Sequence, residues 1–307
     1  MEITEKLKER FCKDYNIPIK VYIEPYFSER LSLFDPILHC MDKWKLFLSE
    51  AEKYDTEQDY FEEYNRIKDA AINAIKQSED YQKFNNMDMS ILRLKTELPG
   101  NDIYKLQNEG RIFISIDMTK ANFSALSHYS SAIFDDADSW EEFIGKFTDS
   151  QYIIGSKYIR QVILGNCNPK RHTTYEKYLT GVALDVLEKE IHGIIKKVVF
   201  FSNDEIVLEV SDKEKEELYE KIKSIVSDMP IRFHTELFVL RKVKEQDIYC
   251  KEIMEHNKIS HAFKCADSLL YPFLVRAINK ETPKENDYIF YHNGYLAKLL
   301  DAPQITL

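Results

Sequence analysis

Residues Lys196 to Val210, KKVVFFSNDEIVLEV, constrain this chain more than any other stretch. Two apolar runs flank the polar SNDE, the pattern of two antiparallel strands joined by a tight turn. That turn carries adjacent acids, Asp204 and Glu205. Upstream, RIFISIDMTKANFSAL (Arg111 to Leu126) reads as a third apolar strand that ends on a lone acid, Asp117, and gives way to a helix.

Between and after these strands the helical period returns. DDADSWEEFIGKF (Asp135 to Phe147) reads as a short helix capped by Asp138 or Ser139, and SKYIRQVILGN (Ser156 to Asn166) as another. The stretch after Asn168 contains a long helix with Tyr175, Leu179, Ala183, Leu187 and Ile191 on one side. SDKE (Ser211 to Glu214) reads as a capping box that opens the next helix. IRFHTELFVLRKV (Ile231 to Val243) is a strand, and DIYCKEI pairs with it. With the insertion set aside, residues 111–243 run strand, helix, strand, strand, helix, strand. That order predicts an α+β, ferredoxin-like split βαβ unit: an antiparallel sheet with helices on one face and the other face open to a ligand. Asp117 and Asp204, distant in sequence, would meet at one edge of it.

Around this unit the sequence predicts a mostly helical N-terminal region (1–105), a catalytic region (106–255) with an insertion at 131–170, and a mixed C-terminal extension (256–307). IKVYIEP (Ile19 to Pro25) alternates like a strand. Glu29 to Gln77 is helical in period, interrupted at Pro36. KISHAFKCADSLLYPFLVRAINK reads as helix broken at Pro272, and NDYIFYHNGYLAKLL as a strand, a Gly294 turn and a short helix. The formal net charge of −10 argues against a large duplex footprint but leaves room for a locally basic groove. Five cysteines without zinc spacing, no signal-peptide pattern and no membrane-length apolar run fit a soluble, cytoplasmic protein.

A strand-end acid beside an acidic turn suits divalent-metal chemistry. Magnesium takes hard oxygen ligands and only one or two carboxylates, leaving positions for water and phosphate. Asp117 and Asp204 are the candidate metal ligands, with Glu205 as a third and the Met118 carbonyl as a further one. Asn203 offers a neutral oxygen. Lys120 and the run Asn168-Pro-Lys170-Arg171-His172 are candidates for phosphate oxygens, since a helix N-terminus favours anions. Arg241, Lys242 and Lys244 form a second basic group. Phe123 or Tyr129 could lie under a sugar.

FISID-MTKANF and SNDE with its alternating strand resemble the palm-domain nucleotidyltransferases. Ile116-Asp117 with Asn122-Phe123, and the Ser202 to Glu205 turn, are similar to the corresponding motifs of tRNA(His) guanylyltransferases. Met118 stands where that family has glycine, and Asn203 is inserted before Asp204. Reverse transcriptases resemble it more loosely through Asp117, Ala121 and Phe123, and diguanylate cyclases through the acid pair. The resemblance implies two-metal transfer of nucleotides from NTPs to an RNA or DNA end, with Asp117, Asp204 and Glu205 catalytic, Mg²⁺ or Mn²⁺ as cofactor, and Asn122 and Phe123 at the nucleotide. A palm enzyme making a cyclic or linear dinucleotide is the alternative. A non-catalytic binding module is another, acting through a protein partner on the aromatic N-terminal helices. Acidic turns and basic loops also arise for purely structural reasons.

Overall fold

The computed structural model describes residues 1–94, 96–255 and 258–306. Its sheet is built around β1 (Ile112–Met118), which pairs antiparallel with β3 (Glu205–Val210) on one side and β4 (Phe233–Lys242) on the other. β2 (Val198–Phe201) lies outside β3, and β5 (Tyr249–Glu255) and β6 (Lys258–Lys264) extend the sheet beyond β4. The order is β2-β3-β1-β4-β5-β6. Alternation along β1 sends Ile114 and Ile116 to one face and Phe113, Ser115 and Asp117 to the other.

The first face is covered by α10 (Pro169–Glu190) and α11 (Lys215–Ser227). Leu184 and Leu187 of α10 and Leu218, Ile222 and Val226 of α11 close over Ile114, Ile116, Ile206, Leu208 and Leu237. The capping box expected at Ser211 forms only in part. The Glu214 carboxylate accepts from the Ser211 N–H at 2.9 Å, and the helix proper starts at Lys215.

The second face is not open along its length. It is apolar, with Phe113, Val207, Phe238, Leu240, Tyr249 and Ile253, and residues 99–110 lie across it. Ile103 is buried in that face, and the Tyr104 ring meets Tyr249. An apolar sheet face of this size has to be covered by something.

The N-terminal helices are α1 (Glu5–Asp14), α2 (Tyr26–Leu38), α3 (Cys40–Ala51), α4 (Glu57–Gln77) and α5 (Glu79–Asn86). Between β1 and α10 come α6 (Ala121–Tyr129), α7 (Trp140–Gly145), capped by Ser139, then α8 (Gln151–Ile154) and α9 (Lys157–Gly165). The two groups share one core, in which Phe11, Phe47, Tyr60 and Ile67 join Phe123, Trp140, Tyr152 and Ile159. The aromatic stripe of α4 therefore faces inward rather than toward a partner.

Four expectations fail locally. Residues 19–25 form no strand; Ile19 and Val21 drop into the helical core without a neighbouring strand to pair with. The helix at Pro36 runs on to Leu38, and the break falls at His39, which is left-handed at φ 48°. KISHAFK is β6, recruited by the exposed edge of β5, and Pro272 starts α12 (Tyr271–Ile278) rather than breaking it. After Gly294 comes a strand: β7 (Ile289–His292) and β8 (Tyr295–Lys298) form a hairpin whose turn residues, Asn293 and Gly294, both have positive φ. Among the described residues no helix is long and apolar enough to cross a membrane.

Asp14 ties the two helical groups together. Its fully buried carboxylate accepts from Tyr64 at 3.0 Å, Tyr152 at 2.6 Å and Ser156 at 3.1 Å, and lies 3.7 Å from the Arg10 guanidinium. Replacing Asp14 by Ala strands three buried hydroxyls and a cation. Urea unfolding of Asp14→Ala should show a loss of about 3 kcal/mol. An unchanged midpoint would mean that the network contributes nothing.

Candidate functional site

The acidic end of the sheet is positioned by backbone pairing. Ser202 and Glu205 close the β2–β3 turn, the Ser202 N–H donating to the Glu205 carbonyl at 2.9 Å. The Ser202 hydroxyl accepts from the Glu205 N–H at 3.0 Å and donates to the Asp204 carboxylate at 3.1 Å. The turn tip is then held from two sides. Met118 N–H donates to the Asp204 carbonyl at 2.7 Å, and the Thr180 hydroxyl of α10 donates to the Asn203 carbonyl at 2.8 Å. These bonds set Asp204 beside Asp117.

Asp117 stands directly across from Glu205 on β3 and His234 on β4. Burial, and then the charges of Asp204, Glu205 and Glu236, push its carboxyl up to about 6. Glu176 of α10 joins them from the helix side. It is 8% exposed, and burial followed by the Asp204 charge raises it to about 7. Sequence reasoning passed over Glu176, although a charged residue between Tyr175 and Leu179 on a buried stripe was a visible signal.

Glu205 differs from the other two acids of the expected set. It lies on the same face as Asp117, but there the Ser115 hydroxyl donates to it at 2.5 Å. The Lys251 ammonium sits 3.9 Å from Glu205 and 3.1 Å from Glu236 and lies over the Phe238 ring. Although burial raises Glu236, Lys251 holds its carboxyl below the ordinary range. Lys251 is only 4% exposed, so its charge is fixed against the sheet. Glu205 is thus held by a hydroxyl and an ammonium, whereas among the described residues Asp117 is in no salt bridge. A period of two along β4 and β5 would have put Glu236 and Lys251 on the face of Asp117.

A cavity of about 280 Å³ opens two residues beyond Asp117, lined by Thr119, Lys120, Phe123, Ser124, His128 and Arg232. Lys120 is left-handed at φ 51° just before α6 and is paired with Glu141 of α7. Phe123 is 6% exposed and packs on Phe134 at 4.6 Å, so it is a core residue whose edge forms cavity wall. The Asn122 carboxamide accepts from the Phe123 N–H at 3.0 Å.

The remaining candidates are placed elsewhere. Arg171 donates to the carbonyls of Phe84 and Met87 and so fastens the end of α5 to α10. Lys170 is exposed on the first turn of α10. His172 is buried against Tyr81 and Phe84, and burial pulls its imidazole down to about 4. Tyr129 packs on Phe84 and Tyr175. Arg241 pairs with Glu252, and Lys242 donates to the Gln246 carbonyl and lies over Tyr249. The backbone N–H of Lys244 donates to the Thr306 carbonyl.

Among the described residues no three acidic, histidine or cysteine side chains converge into a ready-made metal cage. A magnesium site of two carboxylates completed by water and phosphate needs no such cage, and Asp117 and Asp204 fit that donor set. No protein-family model matches this chain, and neither a curated protein nor a solved structure matches it.

Raised carboxyls make stability depend on pH in a definite direction. Between their ordinary values near 4 and their folded values, Asp117 and Glu176 are protonated in the native state and ionised in the unfolded one. Their stabilisation is complete below about pH 4 and is lost as pH rises through about 6 for Asp117 and about 7 for Glu176. In metal-free buffer, denaturation midpoints should fall across this window. The double variant Asp117→Asn with Glu176→Gln should flatten the fall, and an unaltered slope would contradict the acid cluster.

Proposed function

We propose that the chain is a metal-dependent nucleotidyltransferase of palm type, using NTPs as donors. The observation that carries this reading is the juxtaposition of Asp117 and Asp204 at the end of β1, two residues before a cavity that bears Arg232. The sheet order β2-β3-β1-β4, with α10 and α11 on one face, supports a ferredoxin-like palm. Carboxylates forced together in a partly buried site repel one another, and a divalent cation relieves that repulsion.

Asp117 and Asp204 would hold the ions, with the Met118 carbonyl nearby. Bound Mg²⁺ or Mn²⁺ supplies activation of an attacking oxygen and neutralisation of the leaving pyrophosphate. Arg232 contributes an exposed cation to the cavity, where triphosphate oxygens would lie, while the Lys120 ammonium is already paired with Glu141. Phe123 and Trp140 form its apolar wall. Glu205, held by Ser115 and Lys251, shapes the field at Asp117 rather than serving as an equal third ligand.

The test is transfer of label from each α-labelled NTP in Mg²⁺ or Mn²⁺, with and without RNA. Asp117→Asn and Asp204→Asn should each reduce turnover at least about a hundredfold while the protein stays folded. If NTP neither binds nor turns over, and both variants behave like wild type, the chain is not a nucleotidyltransferase. It would then be sought as a binding module.

A further inference from the structure

Lys120 is the cation of the cavity whose partner can be exchanged. Its ammonium donates to both Glu141 oxygens, one of them at 2.6 Å. The two side chains are 30% and 43% exposed, so water reaches the pair. A solvated ion pair of this kind is weak. Lys251, by contrast, is buried and fixed against Glu236.

The pair spans two walls of the cavity. Lys120 lies in the turn between β1 and α6 and lines the cavity from that side. Asp138, Ser139 and Trp140, at the start of α7, line it from another. Glu141 follows Trp140 directly, so its bond to Lys120 ties the two walls together. A molecule that takes the Lys120 ammonium from within the cavity has to compete with that bond. The competitor must be anionic, and a triphosphate offers several charged oxygens where Glu141 offers two.

The other charged groups at the cavity leave Lys120 to Glu141. Arg232 is exposed, and among the described residues neither it nor Asp138 is in a salt bridge. His128 Nδ1 lies 3.2 Å from the Tyr175 hydroxyl. Glu141 also has a second cation nearby. Burial raises its carboxyl, but Lys120 and, more weakly, Arg160 of α9 hold it below the ordinary range. The Arg160 Nε is buried and has no hydrogen-bond partner among the described residues.

We propose that Glu141 is a stand-in for substrate phosphate: it holds Lys120 in the free protein, and an entering nucleoside triphosphate displaces it and takes the ammonium. This rests on the nucleotidyl-transfer reading above. Glu141 is then a positioning residue that acts through Lys120. It lowers nucleotide affinity, because part of the binding free energy goes into breaking the pair.

The experiment measures equilibrium binding of each NTP and of its nucleoside to the full chain in Mg²⁺. Glu141→Gln should tighten at least one NTP by about threefold, the scale of a solvated ion pair, and leave its nucleoside unchanged. A gain of affinity cannot come from a damaged fold. Asp138→Asn removes the same charge from the cavity without freeing Lys120 and should give a smaller gain. With Lys120→Met in place, Glu141→Gln should no longer matter. The stand-in would be overturned, with nucleotidyl transfer left intact, if NTP binds but Glu141→Gln does not tighten it. It would be overturned equally by a gain that the nucleoside shares, that Asp138→Asn matches or that survives Lys120→Met. If no NTP binds to any of these proteins, the nucleotidyl-transfer reading fails and the stand-in with it.

Discussion

The Met118 amide, donating to the carbonyl of Asp204 at 2.7 Å, extends the β1–β3 pairing past the last residues of both strands. Without it the turn could carry its acids anywhere. With it, and with Thr180 gripping Asn203 from α10, the tip has no freedom to relax away from Asp117. The energetic strain of like charges is therefore imposed by neutral backbone hydrogen bonds, each made where the sheet geometry demands one. The helix that supplies Thr180 supplies Glu176 one turn earlier, so the same contact brings a further carboxyl to the cluster.

One buried ammonium does not neutralise this group evenly. Lys251 lies close to Glu236 and less close to Glu205, and it is the last and opposing influence on Asp117. The cluster consequently divides into Glu205 and Glu236, which Lys251 compensates, and Asp117 and Asp204, which among the described residues are in no salt bridge. That division could not be read from adjacency in the sequence, where Asp204 and Glu205 look equivalent.

Much of the sheet was legible because its strands are short apolar runs bounded by turns, and the strand order followed from the succession of elements. The Asp117–Asp204 meeting was legible for the same reason. What escaped notice depended on partners distant in the chain. KISHAFK has no intrinsic signal strong enough to separate strand from helix; the free edge of β5 decides it. The alternation of residues 19–25 is equally suggestive, yet no edge waits for it. Arg171 and His172 looked like an anion grip at a helix start, but the ends of α5 and its aromatic residues lie there first. Glu176, Glu236 and Lys251 are single charged residues inside otherwise apolar periods, and their meaning appears only when three elements converge.

The N-terminal helices and the segment from Phe123 to Tyr175 close around a common interior, and the cavity beside Asp117 takes part of its wall from that interior. The acidic carboxylates and the cavity wall thus belong to different structural layers joined through β1 and α6. The acids could persist through any change that preserves the sheet, whereas the shape of the cavity is hostage to residues as remote as Phe11 and Tyr60. Descendants of such a chain could remould the cavity by altering helices far from it, with the acidic end of the sheet left as it was.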